Sequence, residues 1–473
     1  MAQILYGAGH NLSFHFQDWI ERGINPVCIV DSATEKQHTQ FFHSNMEFDI
    51  LPFSEANARY PGSKWYITLT IPNCYKVREW LTSQGISEKS IYILAEMFVE
   101  YPVEDNSDLP FAPEDTVKSC DYIERGISFL VDGLYCCCLS SGNSGILIDS
   151  SILNSYEDIQ SHELYDLIIK ERKQYFLALN GKISRPLGHC NDCIFLCEKP
   201  FREVTFSSLG GKSGLQVIDD QSSMICNHKC VYCGGKQYAC QYDNRIVLKT
   251  IEGFVSKKKP SFFFIAINSG EPSLRKDLDE LLDYLMMQQL ENVNIYSNAS
   301  IYSKGIEKSL KNNQVKLITS VDAGTRETYK SVHRADDYSR VINNLISYSV
   351  MGNGKHIRIK YIVLDDESNT SDDDLFGFLY AALLIKPEDI SILPQFRDIS
   401  EKVPNSTIEF AAKMFYLCPF ITNKTLRFFP ALGIGGNTDE FPNMVRERVA
   451  ALSEDTKTSL AELALRFLQD KTK

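Results

Sequence analysis

The chain predicts an α/β protein: a partial (β/α)6 barrel preceded by a small doubly wound module and a small cysteine-rich domain. Three observations lead there. From about residue 205 to 400 short apolar runs alternate regularly with longer amphipathic stretches, and strands separated by helices demand parallel pairing through right-handed crossovers. Residues 3 to 31 read strand, helix, strand, the start of a second α/β unit. The 14 cysteines are grouped along the chain instead of evenly paired.

Bulk properties narrow the classes. A chain of 473 residues exceeds one core and suggests roughly two to four domains. Its 44% hydrophobic and 23% charged content is that of an ordinary globular protein. A net charge of −12, with Lys257-Lys258-Lys259 as the one dense basic run, argues against a nucleic-acid partner. Met1-Ala2-Gln3-Ile4-Leu5-Tyr6 has no basic n-region, and apolar runs such as Phe376 to Ile385 are too short for a membrane span. A cytoplasmic, reducing location is therefore expected, in which grouped cysteines suit metal ligation better than disulfides.

The first module, residues 1–105, is expected to contain strands at Gln3–Gly9, Pro26–Val30, Phe48–Leu51, Trp65–Thr70 and Ser90–Leu94, with helices at Asn11–Arg22 and Asn73–Gln84. Gly7 and Gly9 could admit a phosphate and Asp31 sits where a ribose-binding acid would, but Leu12 replaces the third glycine of G-x-G-x-x-G. The module resembles the Rossmann-like, nucleotide-binding-like modules of enzymes of surface-glycan and nucleotide-sugar metabolism. Nucleotide binding and partner docking both stay open. Tyr101–Asp115, rich in Pro, Asp and Glu, reads as a linker.

Residues 116–204 form the expected cysteine-rich domain. Cys120 precedes an alternating run whose Asp132-Gly133 pair signals a hairpin, followed by Cys136-Cys137-Cys138, then Cys190, Cys193 and Cys197. The order Cys120, Gly133, Cys138, Cys190, Cys193 resembles the twitch domain, the shortened relative of the SPASM domain. That resemblance implies Cys120, Cys138, Cys190 and Cys193 as ligands of an auxiliary 4Fe–4S cluster, with Cys136, Cys137 and Cys197 as spares. It departs from the family in preceding the barrel instead of following it. A four-cysteine zinc knuckle stays open.

The barrel, residues 205–400, is expected to have strands at Leu215–Asp219, Phe262–Ile267, Val293–Tyr296, Lys316–Val321, His356–Leu364 and Asp389–Pro394, with helices at Asp277–Leu290, Lys304–Lys311, Tyr338–Ser349 and Asp373–Ile385. Residues 401–473 form a helical extension, Glu401–Tyr416 and Ser453–Lys471. After the first barrel strand come Cys226, Cys230 and Cys233 on one short loop. Three thiolates this close can hold three irons of a cubane and leave the fourth without a protein ligand. A zinc site or free thiols are the plainer readings of the same residues.

With Tyr232 before the last cysteine, this C-x3-C-x2-C loop resembles the radical S-adenosylmethionine (SAM) superfamily. The match extends along the barrel in order. Ser269-Gly270-Glu271-Pro272 resembles the G-G-E-P motif that contacts the SAM amino group; Ser297-Asn298 stands where a T-N-G-like turn faces the ribose. Ser320-Val321-Asp322 resembles the Ser-Ile/Val-Asp segment near ribose and carboxylate. The resemblance implies a 4Fe–4S cluster with an open iron, SAM as cosubstrate, reductive SAM cleavage and hydrogen abstraction by a 5′-deoxyadenosyl radical. A reductase or flavodoxin would donate the electron. A sugar or nucleotide-sugar substrate is the first expectation, a peptide substrate the second, and a non-catalytic iron–sulfur or zinc scaffold the third. Cys240 and Cys418 read as ordinary thiols, and the amino-terminal module lacks an obvious cobalamin D-x-H-x-x-G motif.

Overall fold

The computed structural model describes residues 2–472 apart from 9–11, 13–15, 17–18, 21–22, 35, 44–45, 70–72, 95–107, 138–144, 156–158, 188–189, 192, 194, 205, 207–213, 220, 224, 234–240, 258–259, 261, 291, 353, 396–402 and 430–439. Cys138, Cys240 and residues 101–107 of the expected linker therefore lie outside the described residues. The first sheet has six strands: β1 (Gln3–Tyr6), β2 (Cys28–Val30), β3 (Thr39–His43), β4 (Met46–Leu51), β5 (Lys64–Ile67) and β6 (Ile91–Ile93), in the order β3-β4-β2-β1-β5-β6. All pair in parallel except β3, which is antiparallel to β4. Apolar clusters line both faces, as doubly wound sheets require.

Gly7 follows β1 at φ 113°, and a Cβ there would stand 2.5 Å from Thr68 Oγ1, so only glycine fits. Asp31 is 7% exposed. Its carboxylate accepts from the amides of Ala8 (2.6 Å) and Ala33 (2.9 Å) and pairs with Lys36. The acid expected to face a ribose is thus engaged in holding the turns of its own module.

The remaining strands are β7 (Thr116–Ser119), β8 (Gly126–Leu130), β9 (Gly133–Tyr135), β10 (Ile146–Asp149), β11 (Cys197–Pro200), β12 (Gly214–Asp219), β13 (Phe262–Ile267), β14 (Val293–Tyr296), β15 (Val315–Ser320), β16 (Ile357–Val363), β17 (Asp389–Pro394) and β18 (Leu426–Phe428). β7 and β11 form an antiparallel pair of their own. The others form one ten-stranded sheet, β10-β9-β8-β12-β13-β14-β15-β16-β17-β18. The β8–β9 hairpin predicted around Asp132-Gly133 is present, with Leu130 opposite Gly133, so Val131 and Asp132 form its turn.

The expected division between residues 204 and 205 runs through this sheet, because β8 pairs in parallel with β12. The reason is burial: every residue of β8 and β9 is buried, and a strand covered on both faces belongs inside a large sheet. Arg172, 0% exposed on the helix Ser161–Leu179, locks the junction. Its guanidinium donates to the carbonyls of Glu124 (3.0 Å), Gly126 (2.6 Å) and Phe206 (3.3 Å), which offsets the desolvation of a buried charge.

Strands β12 to β17 are the six parallel strands expected, and β18 adds another parallel strand at the edge. Along β16, Ile357, Ile359, Tyr361 and Val363 belong to the main core, whereas Ile362 joins Val332, Leu364 and Leu393 in a separate apolar cluster with Tyr232 and Phe429. Strand alternation thus gives the sheet a second, inner face near its carboxyl end. The helices Asn405–Thr422 and Glu454–Thr472 pack outside, with Phe467 against Phe376. Among the described residues, no helix is long and apolar enough to cross a membrane.

The turn after β15 meets the helix Asp372–Ile385 at backbone contact. A Cβ on Gly324 would lie 2.1 Å from the Asp374 carbonyl oxygen, and one on Gly377 would lie 2.1 Å from the Gly324 carbonyl oxygen. Neither obstacle is a flexible side chain. Gly324→Ala and Gly377→Ala should each cost about 3 kcal/mol in urea unfolding; a midpoint unchanged in both would contradict this packing.

Candidate active site

The loop after β12 is fixed by its backbone on two sides. On one side, Glu271 N donates to Ile225 O (2.8 Å) and Ser223 N donates to Ser269 Oγ (2.6 Å). Gly270 lies between them at φ 57°, where a Cβ would stand 2.4 Å from Ile225 O and 2.5 Å from Ser223 O. This explains the glycine retained from the expected G-G-E-P motif, and Ser269 uses its hydroxyl to hold the loop. On the other side, Lys229 N and Val231 N donate to the carbonyls of His333 (3.1 Å) and Val332 (2.9 Å), at the end of the helix Arg326–His333.

Held this way, the loop presents Cys226 and Cys230 half-buried and Cys233 exposed. Burial, followed by the charges of Asp322 and the two other thiols, pushes the Cys230 thiol up to about 12. Burial also raises Cys226. The three sulfurs therefore share one electrostatic neighbourhood. Among the described residues they do not close to single-ion distance, the group that does being His228, Cys230 and His333. A cubane spans its ligands more widely than one ion does, so the trio fits a cluster better than zinc.

Glu271, 1% exposed, is the junction of three strand-end loops. Its Oε1 accepts from Ser273 N (3.0 Å), Ser273 Oγ (2.7 Å) and Ser297 Oγ (2.7 Å), and its Oε2 accepts from Asn298 N (2.7 Å). Pro272, also buried, opens the short helical turn that places Ser273. Asn298 reaches back to Asn227 Oδ1 at 2.9 Å and points its amide at Cys226 Sγ, 4.0 Å away. Ser297 and Asn298 are thus brought to the cysteine loop, as their order in the sequence predicted.

Asp322 anchors the opposite wall. It is fully buried at φ 54°, a region non-glycine residues rarely occupy. Its Oδ1 accepts from Ile362 N (2.7 Å), its Oδ2 from Tyr232 OH (2.5 Å) and its carbonyl from Asn369 Nδ2 (2.9 Å). Burial pushes its carboxyl up to about 7 against the hydrogen bonds from Tyr232 and Ile362, which hold it down. Ser320, half-buried at the end of β15, stands beside this group.

Of the second cysteine set, Cys120, Cys190 and Cys193 are among the described residues and Cys138 is not. Cys120 is buried and caps a short helix, its Sγ accepting from Ile123 N at 3.5 Å. Cys190, half-buried, accepts from Tyr175 OH at 3.2 Å. Cys136, read as a spare, is 2% exposed and close enough to Cys120 and Cys190 to raise the pKa of the first and be raised by the second. Cys193 is half-buried. Cys197 instead turns to the Ser119 carbonyl at 3.3 Å within the β7–β11 pair.

Sequence reasoning did not anticipate His228, His333, Asp337 or Asn369. They carry no motif, and His228 and His333 meet only because the helix after β15 folds back on the cysteine loop. Burial holds the His333 imidazole down at about 4, so it is neutral.

Comparison with known proteins adds a family match. The family model of the Radical SAM superfamily matches residues 221–369, from the cysteine loop to just past β16. The chain is 25% identical over 253 residues to "GTPase Obg" of Brachyspira hyodysenteriae, covering 51% of this chain and 35% of that protein. It is 27% identical over 122 residues to the "Probable GTP 3',8-cyclase" of Methanocaldococcus jannaschii, covering 25% of this chain and 41% of that protein. These curated relatives are matched over less than half their length. Among solved structures, SuiB of Streptococcus suis bound to its precursor peptide SuiA aligns with a TM-score of 0.36 at 12% identity, covering 67% of this chain and 73% of that one.

A pH dependence follows from Asp322. Its folded pKa, about 7, lies above the unfolded value of about 3.9, so the unfolded chain loses this proton first. The contribution of this group to stability is then fully present below about pH 4 and falls by up to roughly 4 kcal/mol as pH rises to about 7. Asp322→Asn should flatten this interval in urea midpoints of the metal-free chain. An unaltered profile would contradict the assignment.

Proposed function

The chain is a member of the radical SAM superfamily, and on that premise we propose that Cys226, Cys230 and Cys233 hold a 4Fe–4S cluster whose remaining iron is open to SAM. When bound, the cluster would supply one electron for reductive cleavage of SAM, the C5′–S bond breaking so that methionine leaves and a 5′-deoxyadenosyl radical would be available to take a hydrogen atom from a substrate carbon. The observation supporting this reading is the convergence of the cysteine loop, Glu271 and Asp322 at the carboxyl ends of parallel strands, where sites of α/β barrels are built.

The residues of the chain have separable tasks. Cys226 and Cys230, raised by burial, stand protonated in the metal-free chain and release their protons when metal loads. Glu271 Oε1 is taken up by three donors and Oε2 by one, so Oε2 retains accepting capacity for the SAM amino group. Gly270 and Pro272 fix that carboxylate, and Ser297 and Asn298 bring the ribose side of the pocket against it. Asp322, with Ser320 and Tyr232, forms the facing wall. Val332, Ile362, Leu364 and Leu393 close the inner face with apolar surface, which excludes water from a reactive radical and keeps it oriented.

For the substrate we propose a sugar or nucleotide-sugar. The doubly wound amino-terminal module supports this, as do the GTP 3',8-cyclases among the relatives, whose name gives a nucleotide substrate. Cys120, Cys190 and Cys193, with Cys138, would hold an auxiliary 4Fe–4S cluster that accepts the second electron, giving net oxidation; Cys136 is placed to substitute for Cys138. A reductase or flavodoxin would supply the first electron.

Anaerobic reconstitution with iron and sulfide tests this reading. About eight irons per chain are expected, falling to about four, with reductive SAM cleavage abolished, in Cys226→Ala/Cys230→Ala/Cys233→Ala. Cleavage surviving in that variant would overturn the catalytic assignment. Cys190→Ala/Cys193→Ala should also drop to about four irons yet still cleave SAM; an unchanged iron count would remove the auxiliary site.

A further inference from the structure

Behind the cysteine loop lie two histidines that the reaction above does not use. His228 is 4% and His333 1% exposed, with ring centroids 5.7 Å apart. Tyr329 packs on both rings. In each imidazole one nitrogen is already committed. His228 Nε2 lies 3.1 Å from Asp337 Oδ2; a carboxylate accepts, so this nitrogen carries the proton. Its Nδ1 is buried and has no hydrogen-bond partner among the described residues. His333 Nε2 lies 3.0 Å from the Val321 carbonyl, which can only accept, so the lone pair is on Nδ1, 3.1 Å from Cys230 Sγ.

A histidine whose outer N–H is held by a carboxylate or a backbone carbonyl is the arrangement that orients metal-ligating imidazoles. One nitrogen from each ring and Cys230 Sγ lie within 4.8 Å of one another. Tetrahedral zinc, with bonds of about 2.0 Å to nitrogen and 2.3 Å to sulfur, separates its ligand atoms by roughly 3.3–3.6 Å. The closest pair here needs to open only slightly to admit an ion.

We propose that His228, Cys230 and His333 form a binding site for one divalent transition-metal ion, zinc by its donor set, separate from the three-cysteine site and sharing Cys230 with it. Metal replaces the Cys230 thiol proton, which leaves to solvent, with no change in oxidation state. The ion then engages the sulfur that the cluster needs. One equivalent of zinc should therefore slow cluster assembly, and the site would act as a metal-selective block on activation.

The test uses the full chain without cluster, titrated anaerobically with Co2+. One equivalent should bind with a thiolate-to-cobalt charge-transfer band. The band should persist in Cys226→Ala/Cys233→Ala, which retains the site but only one of the three cluster ligands, and affinity should fall at least about tenfold when His228→Phe is added. Absence of binding in the double variant, or affinity indifferent to His228, would overturn the proposal. Zinc X-ray absorption on the unmutated chain gives a second reading: two imidazole nitrogens and one sulfur are expected, and three sulfurs without imidazole would refute the site. Reductive SAM cleavage by the reconstituted chain reports on the cluster separately, so either reading can fail without the other.

Discussion

The Glu271 carboxylate is where the loops of this protein become one structure. A carboxylate at 1% exposure must have its oxygens satisfied by protein donors, because leaving them bare would cost several kcal/mol. Those donors come from its own turn, at Ser273, and from the next strand end, at Ser297 and Asn298. The amide of the same residue holds Ile225, one position before the first cysteine of the loop. Parallel strands end side by side, but their loops have no intrinsic reason to stay aligned. Here one desolvated charge aligns three of them, and the thiols follow.

The facing wall is built on a different constraint. Asp322 occupies a left-handed conformation that a non-glycine residue tolerates only when its surroundings determine it fully. Tyr232, Ile362 and Asn369 do so. Two residues later the chain passes through Gly324, whose amide, with that of Thr325, is held by Asp374. Thr325 then caps the helix Arg326–His333, its hydroxyl accepting from Thr328 N. That helix ends on a left-handed Arg334, which leaves the Val332 and His333 carbonyls free to receive the amides of Val231 and Lys229. The cysteine loop is thus suspended between a carboxylate and a helix end, and both trace back to residues at the close of parallel strands.

Much of this frame is legible in the sequence. Phe262–Ile267, Val293–Tyr296 and Asp389–Pro394 match their strands to the residue, since each is an apolar run bounded by polar or turn-forming residues. The order of the site segments was legible too, as strand-end loops of a parallel sheet must converge. What escaped was decided by distant contacts. Arg326–His333 is a short, mostly polar helix, and its role depends on where it ends. Leu426–Phe428 is a three-residue edge strand, and Thr39–His43 forms only against its neighbour. The cysteine-rich segment read as a separate domain because its local pattern gives a hairpin; nothing local shows that β8 would pair with β12. His228 and His333 belong to no spacing rule, and Asp31 fits a binding acid until the fold reveals its amide partners.

The central claim is that the three-cysteine loop leaves one metal position for SAM, with Glu271 and Asp322 arranged around it. Electron paramagnetic resonance of the reduced, reconstituted chain, recorded with and without SAM, addresses this most directly. A signal that changes shape on adding SAM, in the unmutated chain and in Cys190→Ala/Cys193→Ala, is the result the account predicts. Identical spectra in both conditions would mean that no position is open, and would contradict it.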